Sequence, residues 1–420
     1  MKSKNQINLL TAILINVNII LGAGLFINPK PLTQFAGPFG FVSYILAAII
    51  ILPIVLIIAK LATKSQEPGG LYVYSKNYIN PTVGFISAWS YFLGKTSSAA
   101  LLAHIFVSFF QRNIIFLQSI PTIILDILLI FFLVFINIIG VKIGSKIQYF
   151  FTLFKLVPFL FVLIVGFYFF EPNFFATPIT AYPDFFSALP ISIFVFLSFE
   201  MICSIGHLIK DPERNIKRAI IFSFVIVASA ATLFQLAIFG SLGSVLKTFT
   251  EPVASLASLN FPNYSILPIL LNTFVFGSII SGSFGSLTAN CWNLYAISKD
   301  RHLPINKLLT KVNKNNIPWV ALIIEGLIAC LLLAITKNQV PLQNMTVFGI
   351  GIAYLCSSFA AFKISKNRMI SQVLPLLAIL GSFYIIWLCS NNLFTYGISL
   401  PFLIIFLTGI LLKIWQKVRP

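Results

Sequence analysis

Gly22-Ala23-Gly24-Leu25-Phe26 lies inside an apolar run from Leu9 to Ile27 that is long enough to cross a bilayer. Two glycines separated by one alanine weaken a helix interior, because Gly costs about 1 kcal/mol relative to Ala there and adopts positive φ freely. A break at membrane depth leaves backbone N–H and C=O groups unpaired, and lipid tolerates these only where they pack against protein or line a cavity. We therefore expect this stretch either to pack closely against a neighbouring helix or to bind a ligand.

A second interrupted span is predicted near Leu197-Ser198-Phe199-Glu200. Paired interruptions at corresponding places in two halves of a chain are typical of a transporter binding site. The second break therefore favours a ligand at the first one over helix packing alone.

The composition is that of a protein that crosses the bilayer many times. The chain has 420 residues, of which 58% are hydrophobic and 9% charged, whereas a soluble protein has about 25% charged residues. The net charge of +18 does not indicate a nucleic-acid partner, because the basic residues fall in short loops between apolar runs. The five cysteines show no CxxC spacing, so we expect no metal site, no disulfide framework and no cofactor.

Apolar runs of about 20 residues predict an all-α membrane protein with twelve transmembrane helices. No A-x-A-type cleavage site follows the first run, so we interpret it as a span and not as a signal peptide. The excess of Lys and Arg in alternate loops places both termini in the cytoplasm, and we expect the plasma membrane or the inner membrane of a bacterium. The predicted spans are 9–27, 38–60, 82–110, 120–140, 147–170, 187–207, 218–240, 266–297, 318–336, 345–363, 372–390 and 396–414.

The first ten spans divide into two sets of five, 9–170 and 187–363, within one transmembrane domain. A set of five spans that is repeated once must run upside down the second time, so we expect an inverted repeat with two additional spans in 372–414. The interrupted span comes first in each set. The third span of each set, 82–110 or 266–297, is long, as a strongly tilted helix would be.

Several motifs, in the right order, resemble those of the amino acid–polyamine–organocation family of secondary transporters. The resemblance extends over about residues 9–365 and implies the LeuT-like five-plus-five fold, and transport of amino acids or related amines. Ser198 stands where the family pattern has Gly, and Asp211 where it has Asn. The corresponding residues are 22–26 for G-[SA]-G-[IV]-F, 68–72 for P-x-G-G-x-Y without the x that follows Pro, 196–200 with 210–214 for F-x-G-x-E and K-N-P-x-R, and 299–304 for the R-D-G-x-L-P part of A-R-D-G-x-L-P.

The two breaks suit the two charged groups of an amino acid. The N–H groups at the start of a half-helix suit a carboxylate, and the carbonyls at the end of a half-helix suit an ammonium group. We therefore predict that backbone atoms hold the main chain of the substrate without a charged side chain. The predicted contacts are Ile19, Gly22, Ala23 and Gly24 in the first span and Phe196, Leu197 and Ser198 in the sixth.

The resemblance implies two further side chains at the substrate site. Aromatic residues before the second break cover the substrate from outside in relatives, which makes Phe194, with Phe196, a candidate gate. Plain packing or lipid contact is the alternative, because 44 of the 420 residues are Phe. Ser286 falls where a relative places an aromatic substrate contact, and its small size would leave room for a bulkier substrate.

Ionisable residues inside the predicted spans are informative, because each costs about 2.5–3.5 kcal/mol on insertion scales. Glu200 directly follows the second break, and it either takes up a proton during transport or forms a structural hydrogen bond. Lys95 either contacts an anionic substrate side chain or pairs with Asp126 or Glu325. We expect His104 to be a satisfied helix residue and not a ligand.

Lys155 lies about eight residues into the fifth predicted span, which is about 12 Å deep at 1.5 Å per residue. A lysine at this depth can extend back towards the surface. The resemblance implies another role, because some proton-coupled relatives place the ammonium group of a span-five lysine where sodium-coupled relatives bind a cation. The ammonium would then hold carbonyls near Ile19 and Gly22. Since desolvation favours the neutral amine, we expect transport coupled to protons and independent of sodium.

These features favour secondary active transport of amino acids or amines by alternating access. An exchanger without ion coupling is the alternative within transport. A membrane-embedded enzyme would show a nucleophile or an acid–base cluster on one face, whereas here the three histidines are dispersed, so we predict no catalytic residue. A channel needs a continuous lined pore and does not explain two breaks in inverted halves.

Overall fold

The chain folds as an all-helical, multi-pass membrane protein. Ten helical segments among the described residues are long and apolar enough to cross a membrane, and two shorter apolar helices coincide with the predicted fifth and ninth spans. The described residues form no strand, and their β-structure is one isolated bridge between Ile7 and Ile209. The computed structural model describes residues 7–64, 70–139, 155–315, 317–365 and 369–418.

The α-helices of these segments are numbered in chain order. They are α1 (Leu9–Ile20), α2 (Gly24–Ile27), α3 (Pro29–Ala36), α4 (Gly40–Lys64), α5 (Leu71–Tyr78), α6 (Pro81–Asn113), α7 (Ile115–Gln118), α8 (Thr122–Ile139), α9 (Leu156–Tyr168), α10 (Ala188–Phe196), α11 (Pro212–Leu242), α12 (Pro252–Asn260), α13 (Ile266–Lys299), α14 (Asn306–Leu309), α15 (Trp319–Ile335), α16 (Gln339–Ile364), α17 (Met369–Thr395) and α18 (Ser399–Val418). The 3-10 helices are Gly37–Phe39, Pro172–Phe175, Ile179–Ala181, Phe185–Ser187, Phe199–Leu208 and Gly243–Thr248.

Local sequence explains where α1 and α6 begin. Asn8 caps α1 by accepting a hydrogen bond from Thr11 N at 2.8 Å, and Asn80 caps α6 by accepting one from Val83 N at 2.9 Å. Pro81 occupies the first position of α6, where its missing N–H removes no helical hydrogen bond. Asparagine side chains are among the strongest caps for the free N–H groups of a first turn.

The predicted spans agree with several of these helices. The long third and eighth spans, 82–110 and 266–297, correspond to α6 and α13. The sixth, 187–207, is interrupted as predicted, because α10 ends at Phe196 and a 3-10 helix follows. The first part of the fifth span, residues 147–154, lies outside the described residues.

The chain divides into two compact units, and each combines segments that are distant in sequence. The first unit comprises residues 1–68 and 150–278, and the second comprises 69–149 and 279–420. The first unit therefore draws on both of the sequence repeats predicted above.

In the first unit, α11 packs against α1, α4 and α9. The ring of Phe196 lies 6.0 Å from that of Tyr44 and 5.4 Å from that of Phe224. Asn16 Nδ2 donates to Ser223 Oγ at 2.5 Å and ties α1 to α11. Because an unpaired polar group is costly in an apolar interior, this bond fixes how α1 sits on α11.

In the second unit, α6 and α16 approach each other closely at two glycines. A Cβ on Gly94 would lie 2.8 Å from Thr346 O, and a Cβ on Gly349 would lie 2.5 Å from Ser90 O. Small residues at such contacts let two helix backbones come together inside a membrane. Helix α6 also packs against α5, α8 and α15, so it forms the centre of this unit.

Candidate functional site

The first predicted break separates α1 from α2. Helix α1 ends at Ile20, and α2 begins at Gly24. Leu21 leaves the helical region, with φ −65° and ψ 71°, and Gly22 N donates to Ile20 O at 2.6 Å. The chain thus turns out of one helix and starts another inside a segment that is apolar enough to span the membrane.

The two glycines of this break meet different surroundings. A Cβ on Gly24 would lie 3.0 Å from Phe194 Cδ1 and 3.1 Å from Val195 Cγ2, so a larger residue would push α2 away from α10. A Cβ on Gly22 would meet only Ile20 O, at 3.7 Å. Gly24 therefore brings the first break against the aromatic residue that precedes the second break.

Lys155 joins the start of α9 to the end of α1. Its Nζ donates to Asn18 O at 2.7 Å and to Leu21 O at 2.9 Å. The last carbonyls of a helix lack intrahelical partners, and a charge-assisted hydrogen bond is about twice as strong as a neutral one. The acceptors are thus Asn18 and Leu21, one residue before each of the carbonyls predicted from the sequence, Ile19 and Gly22.

A small cavity of about 10 Å³ adjoins this lysine. Such a volume holds about one water molecule. The ammonium group therefore binds main-chain oxygens beside an apolar cavity. The other lining residues are Leu21, Leu25, Phe26, Leu156 and Phe159.

The second break separates α10 from the 3-10 helix Phe199–Leu208. Leu197 is extended, with φ −63° and ψ 150°, and Ser198 has φ 87°. The next turn closes when Met201 N donates to Ser198 O at 3.0 Å. Phe194 and Phe196, the candidate gate residues, are 9% and 0% exposed, and Phe196 is fixed by the ring contacts described above.

Three non-glycine residues of the described chain have positive φ: Ser198 at 87°, Asp211 at 48° and Arg301 at 58°. The family pattern quoted above has Gly at the positions of Ser198 and Arg301 and Asn at that of Asp211. Gly and Asn are the residues that adopt this region most readily. These three places therefore adopt positive φ in this chain without Gly or Asn.

Glu200 lies just after the second break and is 5% exposed. Its 3-10 helix packs against α1, α4 and α11. Glu200 is therefore held inside the first unit, directly beside the second break.

Lys95 and Ser286 are neighbours in the second unit. Ser286 Oγ donates to Lys95 O at 3.2 Å and joins α13 to α6. Lys95 is 7% exposed, and its Nζ lies 5.4 Å from the centroid of the Tyr91 ring, within range of a cation–π interaction. The fold thus brings together two residues that the sequence had singled out separately.

The two acids considered as partners of Lys95 have partners of their own in the second unit. Asp126 Oδ2 lies 2.9 Å from His104 Nδ1, and Glu325 Oε1 accepts from Asn290 Nδ2 at 2.8 Å. The pairing of Asp126 with His104 was missed from the sequence. Equal depth was an available signal, because each residue lies six positions from a predicted span end (110 − 104 and 126 − 120).

Comparison with known proteins agrees with the motifs. A family model described as amino acid permease matches residues 7–414. The serine/threonine exchanger SteT of Bacillus subtilis (strain 168) is 24% identical over 91% of this chain and 90% of its own length. The lysine-specific permease LysP of Lactococcus lactis subsp. cremoris (strain MG1363) is 23% identical over 74% of this chain and 65% of its own length. The arginine/agmatine antiporter of Chlamydia pneumoniae is 24% identical over 89% and 82% respectively.

The fold and the site define a multi-pass helical membrane protein in which two interrupted helices meet at Gly24 and Phe194. The chain belongs to the amino acid permease family, because the family model extends over nearly its whole length. It is therefore a membrane transporter of amino acids and not an enzyme, and its relatives are permeases and exchangers of the amino acid–polyamine–organocation family.

Proposed function

We propose that this protein performs secondary active transport of amino acids or related amines, coupled to protons and independent of sodium. The observation that carries the proposal is the position of Lys155 Nζ, 2.7 Å from Asn18 O and 2.9 Å from Leu21 O. A cation would seek the open carbonyls at the end of a broken helix. Here a covalently attached ammonium group takes that place.

In this proposal, loss of the proton from Lys155 frees the end of α1. The neutral amine keeps weaker hydrogen bonds, since the charge-assisted part of the interaction is lost. The end of α1 can then change its position relative to α9. Glu200, buried after the second break, is the second proposed proton carrier.

The substrate main chain is proposed to bind between the two breaks. N–H groups at Gly22, Ala23 and Gly24 would receive the carboxylate, with Ile19 beside them, and carbonyls at Phe196, Leu197 and Ser198 would receive the ammonium group. The contact of Gly24 with Phe194 supports this arrangement and supports Phe194 as a cover. Lys95 and Ser286 are proposed to select the substrate side chain.

The proposed topology has twelve spans with both termini in the cytoplasm. It counts the ten long helical segments together with α9 and α15. The Lys and Arg bias of the loops supports the orientation. We keep the inverted repeat of 9–170 and 187–363, with 372–414 outside it, as part of this proposal, and we place the protein in the plasma membrane.

Exchange without ion coupling is the second candidate function. It is favoured by the names of two of the relatives above, an exchanger and an antiporter. An exchanger of this kind needs substrate on both sides, whereas a proton symporter accumulates substrate into empty vesicles.

Uptake by purified protein in liposomes tests the proposal. A panel of labelled amino acids is offered with and without an inward proton gradient, and with sodium or potassium as the salt. Proton-coupled symport predicts accumulation that requires the gradient and is the same in either salt. Uptake that occurs only into vesicles preloaded with unlabelled substrate identifies the exchanger, and stimulation by sodium contradicts the proposed role of Lys155.

A further inference from the structure

A cluster of ionisable residues lies outside the membrane-spanning helices of the second unit. Tyr72 OH and Lys76 Nζ, both on α5, donate to Asp300 Oδ2 just after α13, the lysine at 2.5 Å. Burial raises the pKa of the Asp300 carboxyl, but the hydrogen bonds from Lys76 and Tyr72 and the charges of Lys76 and His302 outweigh this and leave it below its usual value. Burial and Asp300 raise the pKa of Tyr72. Neither group changes charge near neutral pH.

His302 is the member of this cluster whose charge can change when the solution becomes mildly acidic. Its ring centroid lies 5.6 Å from that of Phe85 on α6 and 6.5 Å from that of Tyr72. Its Nε2 is buried and has no hydrogen-bond partner within the described residues. The ring therefore packs as a neutral aromatic group.

The charges around His302 act against its protonation. Burial lowers the pKa of the imidazole most, and the charge of Lys413 on α18 lowers it further. The charge of Asp300 raises the pKa of His302, and the charge of Lys76 lowers it, so that the pKa lies below its usual value overall. A proton on this ring would therefore introduce a positive charge among lysines.

Helix α18 is attached to α6 next to this ring. Trp89 Nε1 donates to Phe406 O at 3.0 Å. Two turns further along α18, Lys413 Nζ lies 4.9 Å from the centroid of the Phe85 ring and donates to Pro81 O at 3.4 Å. Phe85 thus contacts both His302 and Lys413, so the imidazole lies beside the attachment of α18 to α6.

We propose that His302 is a proton sensor that weakens the attachment of α18 to α6 when the adjoining solution becomes acidic, and thereby slows transport. Repulsion between the imidazolium and Lys413 supplies the force, and α6 passes the effect on because it is the centre of the second unit. In the topology proposed above this solution is the cytoplasm. The sensor would then limit a symporter that acidifies the cell, a physiological role that rests on the proposed function.

The test uses the purified full-length protein and two readouts that need no proton gradient. These are the apparent melting temperature and the rate of exchange of labelled for unlabelled substrate at equal pH on both sides. The assay runs from about pH 7.5 to about pH 5, below the usual histidine pKa of about 6.5, because the pKa of His302 is lowered. Over this range we expect the wild-type melting temperature to fall by about 2–4 °C and exchange to slow severalfold. His302→Gln should remove most of both changes.

A charge-swap pair separates the sensor from a merely structural role. Lysine has an ordinary pKa of about 10.4, so His302→Lys adds a positive charge throughout the assay range. It should therefore slow exchange and lower the melting temperature already at neutral pH. Adding Lys413→Glu should restore the exchange rate and the melting temperature, because it removes the repulsion. If the defect of His302→Lys came from lost packing, a change at Lys413 would not restore them. If His302→Gln does not fold, Lys413→Glu alone decides, because it should abolish the acid effect in the presence of His302.

The sensor is overturned if His302→Gln keeps the wild-type pH dependence of exchange and melting temperature. It is also overturned if Lys413→Glu does not restore the exchange rate and melting temperature of His302→Lys. Neither readout depends on proton-driven accumulation. Failure of the proposed proton coupling would therefore leave these results unchanged, and failure of the sensor would leave the coupling test unchanged.

Discussion

The two broken helices of the first unit make similar interruptions with different residues. The first break contains Gly22 and Gly24, and neither has positive φ. The second break turns at Ser198 with φ 87° and contains no glycine. The first break therefore uses glycine without needing its backbone freedom, whereas the second needs that freedom and does without glycine.

This difference teaches that a glycine in a motif has two separate physical meanings. One is the space left by the missing side chain, which Gly24 provides for Phe194. The other is access to positive φ, which Ser198 achieves at an energetic cost. Substitutions at Gly24 and at Ser198 therefore test the two meanings separately.

The largest effect is expected for Gly24→Leu. A Cβ at this position already lies 3.0 Å from Phe194 Cδ1, and the rest of the leucine would force α2 and α10 apart, at about 1–3 kcal/mol or more. Uptake per inserted molecule should fall more than about tenfold. Gly351→Ala is the control, because its Cβ would meet Ile385 at an ordinary 3.4 Å and uptake should persist. Normal uptake by Gly24→Leu would separate the first break from the site.

The next effect concerns the two hydrogen bonds from Lys155 Nζ to carbonyl oxygens at the first break. Lys155→Met removes the donor to Asn18 O and Leu21 O. Gradient-driven accumulation should fall about tenfold, the effect of about 1.4 kcal/mol, while substrate affinity should change much less. Lys60→Met, at an exposed position of α4, is the matched control. Undiminished accumulation by Lys155→Met would exclude this lysine from coupling.

Glu200 tests whether the second break also contributes to coupling. Glu200→Gln keeps the size of the side chain and cannot titrate, so the pH dependence of uptake should become flatter if Glu200 carries a proton. Uptake is measured across the acidic and neutral range, with Glu213→Gln on the exposed first turn of α11 as control. A profile that follows the wild type would assign Glu200 a structural hydrogen bond.

The smallest effects are expected at the positive-φ positions, and they should have the opposite sign. Ser198→Gly and Arg301→Gly should each stabilise the protein by about 0.5–1 kcal/mol, because relief of backbone strain exceeds the entropy loss of glycine. Ser258→Gly, in the ordinary helix α12, should instead lower stability. Thermal unfolding measures all three, and destabilisation by Ser198→Gly would show that the serine side chain stabilises the turn.

Much of the fold could be predicted from the sequence, because the length of an apolar run and a pair of glycines are local signals. For this reason the predicted eighth span, 266–297, and the predicted first break agree within a few residues with the helix ends in the structure. The acceptors of Lys155 could not be placed, since they depend on the rotation of α1. The turn at Ser198 was found from its place in a motif, since serine itself does not signal positive φ.

The pairing of Asp126 with His104 shows a different limit. This pairing depends on which faces of α6 and α8 lie against each other, and a single sequence does not directly signal how two helices face each other. The same holds for His302, whose neighbours come from α5, α6 and α18. Contacts between distant segments therefore formed the part of the site that sequence reasoning missed.

The bridge at the start of α1 has a consequence for how the protein is made. Ile7 forms a bridge with Ile209, through the hydrogen bond from Lys210 N to Ile7 O at 2.9 Å. The bridge cannot form until Ile209 has been synthesised, 202 residues after Ile7 (209 − 7). At about 5–20 residues per second, this delay is roughly 10–40 s. Helices α6 and α8, which belong to the other unit and are long and apolar enough to span the membrane, are synthesised during that interval. The insertion machinery must therefore accept the first helices of both units before either unit can close.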